Sequence, residues 1–253
     1  ASDVYKRQDI CRFIDTPGIL EPKYLPTLQA QGHSVTMILI NTAAVIRKVI
    51  SDPILEERVN TSLYAIEHYF LHPEFKALLE MVGPKGELID TLNGRVINPG
   101  HCIETSWFLL EEARYRGGDK HITELALKIL NWSWQWGWDD EFGGIINFRD
   151  CRHFPPQDYS QDMKFWWPQT EAIIASLYAH LVTGDNKYLE MHRLANEWAY
   201  EHLPDDAFGE WFGYLHRDGS VAQSAKGNIF KGPFHIPRML IKSQMLINDI
   251  LKK

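Results

Sequence analysis

Apolar residues recur at helical spacing in four long segments: GHSVTMILINTAAVI from residue 32, HCIETSWFLLEEARY from 101, PQTEAIIASLYAHLV from 168 and HIPRMLIKSQMLINDIL from 235. Each opens on Gly, Pro or His and continues with apolar positions three or four apart, the pattern of a helix that buries one face. Two further helices are expected between them, KHITELALKILNWSWQ after Asp119 and NKYLEMHRLANEWAYEH after Asp185. The leading aspartates suit the N-cap position. A short glycine-rich stretch follows each, DDEFGGIINF at 139–148 and DDAFGEWFGYL at 205–215. These predict small hairpins, GGIINF and WFGYLHRDGSVAQ, the latter turning at Asp218-Gly219.

The segments form a repeat. Glu104, Glu171 and Arg238 follow one another at steps of 67 residues, and His101 and His235 are 134 apart with Pro168 midway. Gly32-His33 stands 68 residues before Gly100-His101, and the two glycine-rich stretches are offset by 66. Each unit therefore reads as a helix, an outer helix and a hairpin, and such units stack into a solenoid or close into a ring. In a ring, equivalent positions converge on one pocket. An isolated histidine at a helix start is ordinarily structural, but the shared phase of His101 and His235 changes that reading. His101, Glu104, Trp167, Glu171, His235 and Arg238 are expected to line one cavity. Two imidazoles, two carboxylates, a guanidinium and a tryptophan face suit a sugar. Of the adjacent Trp166 and Trp167, one packs and Trp167 is assigned to the sugar. His33 is also in phase, and core packing is the preferred reading for it.

Composition narrows the class. The chain has 253 residues, 45% hydrophobic, with nine tryptophans, enough for a substantial core. The net charge of −7 is dispersed, and no basic run or basic helical face argues for a nucleic-acid or anionic-membrane partner. No apolar stretch approaches the roughly 20 residues of a membrane span. Cys11, Cys102 and Cys151 form neither a disulfide framework nor a CxxC pair, which fits a reducing cytoplasm. The N-terminus lacks signal-peptide features, and ASDVYKRQ reads as a non-native leader, leaving 9–253 as a single domain. Zinc-type spacing, a phosphate-cradling loop and a nicotinamide-type GxGxxG are all lacking, so neither a metal nor a cofactor is expected for the chemistry.

NPGHCIETSWFLL, KFWWPQTEAIIA, GEWFGYLHRDGSVAQSAKGNIFKGPFHIPRML and the weaker GHSVTMILINTA resemble the N-acylglucosamine 2-epimerase, or renin-binding protein, family from about residue 30 onward. The resemblance implies an all-α fold, an (α/α)6 barrel of twelve helices with its active site in the central cleft. It implies interconversion of N-acetylglucosamine and N-acetylmannosamine at C2, with relatives acting on mannose, cellobiose or sulfoquinovose. The histidines of the NPGH and PFHxPR motifs match His101 and His235, as acid/base residues. The glutamates of NPGHxxE and WWPxxE match Glu104 and Glu171, within the pocket. Arg238 either stabilises negative charge on a substrate oxygen or pairs with a glutamate. Gln169 stands where several members carry histidine.

Six helical pairs at this repeat length need about 400 residues, whereas 253 residues supply fewer than four. The barrel is therefore expected to be incomplete at its N-terminal side, without an arginine the family uses near the sugar's C1 oxygen. On that reading the chain by itself is unstable, oligomeric or inactive. The resemblance further implies activation by a nucleotide such as ATP in some members, and admits a homodimer. Competing readings are a mannose-type aldose–ketose isomerase, an α/α-barrel glycoside hydrolase and a renin-binding-type interaction module. The hydrolase needs a carboxylic acid on the glycosidic oxygen, where the in-phase positions offer imidazoles.

Overall fold

The computed structural model describes residues 27–252 together with Asp9, Arg12, Phe13 and Thr16. The octapeptide at 1–8 and Cys11 lie outside the described residues. Three helical pairs follow in order: α1 (His33–Ile46) with α2 (Pro53–Ala65), α3 (Pro99–Tyr115) with α4 (Lys120–Gly137), and α5 (Trp166–Thr183) with α6 (Asn186–His202). A seventh helix, α7 (His235–Leu251), follows, and a π-helical turn, Ile66–Phe70, extends α2. The outer helices α2, α4 and α6 all start on aspartate: the side chains of Asp52, Asp119 and Asp185 accept from the backbone N–H of Ile54, Ile122 and Lys187. These caps satisfy donors that the first helical turn leaves without a partner.

Short strands keep the units in register: β1 (Gln31–Gly32), β2 (Leu71–His72), β3 (Ala77–Leu78), β4 (Met81–Val82), β5 (Val96–Ile97), β6 (Arg149–Asp150), β7 (Lys164–Phe165), β8 (Tyr214–Leu215) and β9 (Val221–Gln223). The strand before each inner helix pairs antiparallel with the strand after its outer helix, giving β1–β4, β5–β6 and β7–β8. This pairing brings every inner helix to its start at the same end of the molecule. The inner helices α1, α3, α5 and α7 then pack side by side in chain order, each of the first three backed by its outer helix.

Burial follows position in this arrangement. Helix α5 is buried along nearly its whole length, as expected of an inner helix apolar on most sides. Helix α6 buries one stripe, Tyr188, Ala195, Trp198 and Ala199. The two ends of the inner row are different. Helix α1 exposes Val35, Ile38 and Val45, and α7 exposes Leu240, Ile241, Met245 and Ile247. The described fold is a partial α/α toroid, and its apolar edges lie where a closed ring would place neighbouring helices. Among the described residues no helix is long and apolar enough to cross a membrane.

Of the two expected hairpins, WFGYLHRDGSVAQ forms one, with β8 and β9 joined through a turn at Asp218-Gly219, and β7 adds a third strand. GGIINF does not. It closes through a single bridge between Trp138 and Ile145, at the place equivalent to the Pro204–Trp211 bridge of the next unit. Gly143 and Gly144 both adopt left-handed backbone, and a Cβ on either would come within 2.8 Å of Trp198. Ile145 then spends its outward-facing backbone on a side chain. Gln169 Oε1 accepts from Ile145 N at 2.8 Å, and Gln169 Nε2 donates to Ile145 O at 2.9 Å. Gln169, fully buried, thus ties the glycine-rich loop to α5. Gln169→Leu leaves that buried N–H and C=O without partners and is expected to cost about 2 kcal/mol. Urea unfolding of the two proteins measures it, and equal midpoints would sink the assignment.

Candidate active site

Asn98 settles where α3 begins. Its side chain accepts from His101 N at 3.1 Å, and Pro99 takes the first helical position, whose N–H has no helical partner. The helix therefore opens two residues before His101. Gly100 is required for a different reason: a Cβ there would stand 2.5 Å from the ring of Trp167. Its absence lets the start of α3 lie against the start of α5. With α7 beginning at His235 on the same end, the helix starts surround a cavity of about 1080 Å³ whose lining includes His101, Glu104, Trp166, Trp167, Phe234 and His235.

Trp167 stands between the two imidazoles, its ring centroid 5.0 Å from that of His101 and 5.7 Å from that of His235. Trp166 is buried, and its partly exposed neighbour Trp167 gives the cavity its aromatic face. Glu171 and Arg238 meet the cavity only through other residues. His235 Nδ1 lies 2.8 Å from Glu171 Oε1, and Arg238 Nη2 donates to Glu171 Oε1 at 2.8 Å and to Glu104 Oε1 at 2.5 Å. Trp107 Nε1 donates to the other Glu171 oxygen at 2.8 Å. Facing a carboxylate at that distance, His235 Nδ1 carries the proton, which leaves the lone pair on Nε2.

The electrostatics divide the two carboxylates. Burial and the neighbouring Glu171 charge push the Glu104 pKa up, against Arg238 and both histidines. Burial acts on Glu171 in the same sense, yet the Arg238 charge and the His235 hydrogen bond outweigh it and hold Glu171 below the usual carboxylate range. Glu104, Glu171 and His235 place donor atoms within 4.8 Å of one another, a spacing able to hold a cation. The cation present there is the Arg238 guanidinium, itself stacked over Phe234 at 4.5 Å and Trp107 at 5.2 Å.

One residue escapes the repeat altogether. Glu80 sits between β3 and β4, and its oxygens lie 3.0 and 3.1 Å from His101 Nδ1. His33 is fully buried, with Nδ1 3.8 Å from Glu80 and Nε2 3.2 Å from Thr105 Oγ1. Thr105 gives its single hydroxyl proton to His101 O at 2.8 Å, so His33 Nε2 is the donor to Thr105. Burial lowers the His101 pKa, but the Glu80 charge and hydrogen bond more than reverse this, and the imidazole titrates above its ordinary value. The same pair drives Glu80 far down.

Comparison with known proteins agrees with this geometry. The model of the N-acylglucosamine 2-epimerase (GlcNAc 2-epimerase) family matches residues 43–233. N-acylglucosamine 2-epimerase from Bos taurus is 40% identical over 178 residues, 70% of this chain and 42% of that protein. The Rattus norvegicus protein of the same name is 32% identical over 249 residues, covering 94% of this chain and 57% of its own length. The solved cellobiose 2-epimerase from Spirochaeta thermophila DSM 6192 superposes with a TM-score of 0.76 at 19% identity, over 91% of this chain and 57% of that one. This chain thus spans little more than half of the longest-matching relatives, in keeping with a toroid of three and a half helical pairs. By its sequence, its fold and the residues at its helix starts, the chain belongs to the N-acylglucosamine 2-epimerase family.

Proposed function

We propose that the cavity supports proton transfer at C2 of an open-chain sugar, inverting that carbon between N-acetylglucosamine and N-acetylmannosamine. The observation that carries this reading is the pair of imidazoles on either side of Trp167, each backed at Nδ1 by its own carboxylate and each with Nε2 left for the cavity. One Nε2 takes the C2 proton, the electron pair moves into the adjacent carbonyl to give an enediolate-type intermediate, and the other Nε2 returns a proton on the opposite face. His101, held protonated by Glu80, suits the donor; His235, protonated at Nδ1 toward Glu171, suits the base. Reversal exchanges the roles. Imidazole serves both because its pKa lies near neutrality. Trp167 offers an aromatic face to the sugar's C–H surface, and Glu104 a carboxyl for its hydroxyls.

The test is incubation of this chain with N-acetylmannosamine or mannose in D2O, with and without ATP, followed by NMR of the sugar. Deuterium at C2 and appearance of the C2 epimer are expected. Label at C1 and fructose from mannose would replace the reading with an aldose–ketose isomerase. A folded chain that exchanges neither sugar would overturn it.

A further inference from the structure

We propose that Glu80 is a positioning residue for the proton transfer: it grips the Nδ1 edge of His101 and fixes the ring with Nε2 toward the sugar. The proposal rests on reading His101 as a proton-transfer group. Glu80 is itself held at both ends of its peptide. Its N–H donates to Val96 O at 3.2 Å, at the strand leading into α3, and its carbonyl accepts from His33 N at 3.0 Å, at the start of α1. The carboxylate is therefore fixed relative to both inner helices before it meets the imidazole. His33, clamped through Thr105 to the backbone of His101, flanks the same carboxylate from α1. One loop residue thereby couples two units of the repeat to one catalytic ring.

The two imidazoles differ in what backs them. Glu171 divides its charge between His235 and Arg238 and takes a further donor from Trp107. Glu80 faces only imidazoles among the groups it pairs with here, His101 at hydrogen-bond distance and His33 behind it. The other charged or titratable groups around His101 are Glu104 on its own helix, Glu171 on α5, and His235 and Arg238 on α7. Glu104 and Glu171 add attraction for a protonated ring, but both are neutralised in part by Arg238. Glu80 is thus the group that sets the tautomer and holds the proton on His101.

Histidine-labelled chain, wild type and Glu80→Gln, is titrated by 15N and 13C NMR, with C2 exchange followed over the same pH range. In the wild type, the neutral His101 ring is expected to keep its proton on Nδ1. In Glu80→Gln, His101 is expected to titrate at least tenfold lower in proton affinity, and the alkaline limb of C2 exchange to move to lower pH with it. Glu80→Asp, which shortens the reach but keeps the charge, should fall between. A wild-type His101 that deprotonates to the Nε2–H tautomer overturns the proposal, even if Glu80→Gln fails to fold. So does a Glu80→Gln titration superimposable on the wild type. A shifted titration in a chain that never exchanges C2 would retain the Glu80–His101 coupling while removing the epimerase reading.

Discussion

Substitution of His101 or His235 by alanine is expected to lower inversion at C2 by about 10²–10⁴-fold, the usual range for losing a general acid or base. The more telling result concerns exchange without inversion. If each imidazole serves one face of the sugar plane, removing one leaves the other able to take and return a proton on its own side. His101→Ala should then incorporate solvent deuterium into one C2 epimer only, and His235→Ala into the opposite epimer. Neither should convert one sugar to the other at a useful rate. Both side chains are partly exposed to the cavity, so the fold should survive either change. Near-normal inversion in both variants would end the two-base mechanism. Loss of exchange from both epimers in one variant, with the other unaffected, would point to a single base that swings between faces.

Much of this site was legible in the chain because a repeat converts sequence spacing into spatial coincidence. The 67-residue step works because each inner helix is entered from a strand paired to the end of its own outer helix, as in β5–β6 and β7–β8. Units built that way begin their inner helices at one end, so His101, Glu104, Trp167, Glu171, His235 and Arg238 come together although they span 138 residues of sequence numbering. The phase says less about depth. Arg238 follows His235 by three positions, and the first turn of α7 places its guanidinium behind the imidazole, between two buried carboxylates. Likewise Glu171 meets His235 rather than the cavity. The reading of Arg238 as a partner for glutamate describes its contacts.

Glu80 was not legible at all. It lies in the connection after an outer helix, where no periodic pattern constrains side-chain direction, and nothing at neighbouring repeat positions marks it. Its importance arises from tertiary placement of the loop against α1 and α3. The expected GGIINF hairpin failed for a related reason. A residue 24 positions later, Gln169, supplies the hydrogen bonds that a strand partner would have made, and local pattern carries no record of that competition.

The second large effect is expected from Arg238→Met, which keeps much of the side-chain bulk and removes the charge. Glu104 and Glu171 are both buried, and the guanidinium bonds to each. Without it, two carboxylates face one another in a site from which water is largely excluded. Breaking a buried ion pair by deleting one partner typically costs about 3–5 kcal/mol, because the remaining charge is left uncompensated. Urea unfolding near pH 7 should show a loss of that order. The pH dependence gives the cause away. In the wild type, Glu171 titrates below its unfolded value, so its contribution is present above the unfolded pKa and fades as pH falls through the folded one. In Arg238→Met the carboxylate pair should instead hold a shared proton, with a folded pKa above the unfolded value. Its contribution is then present at low pH and lost as pH rises through that raised pKa. The stability gap between the two proteins should therefore be widest near neutrality and narrow toward acid. A gap that stays constant over that range would mean that Arg238 acts through packing on Phe234 and Trp107, and that its charge does not govern the pair.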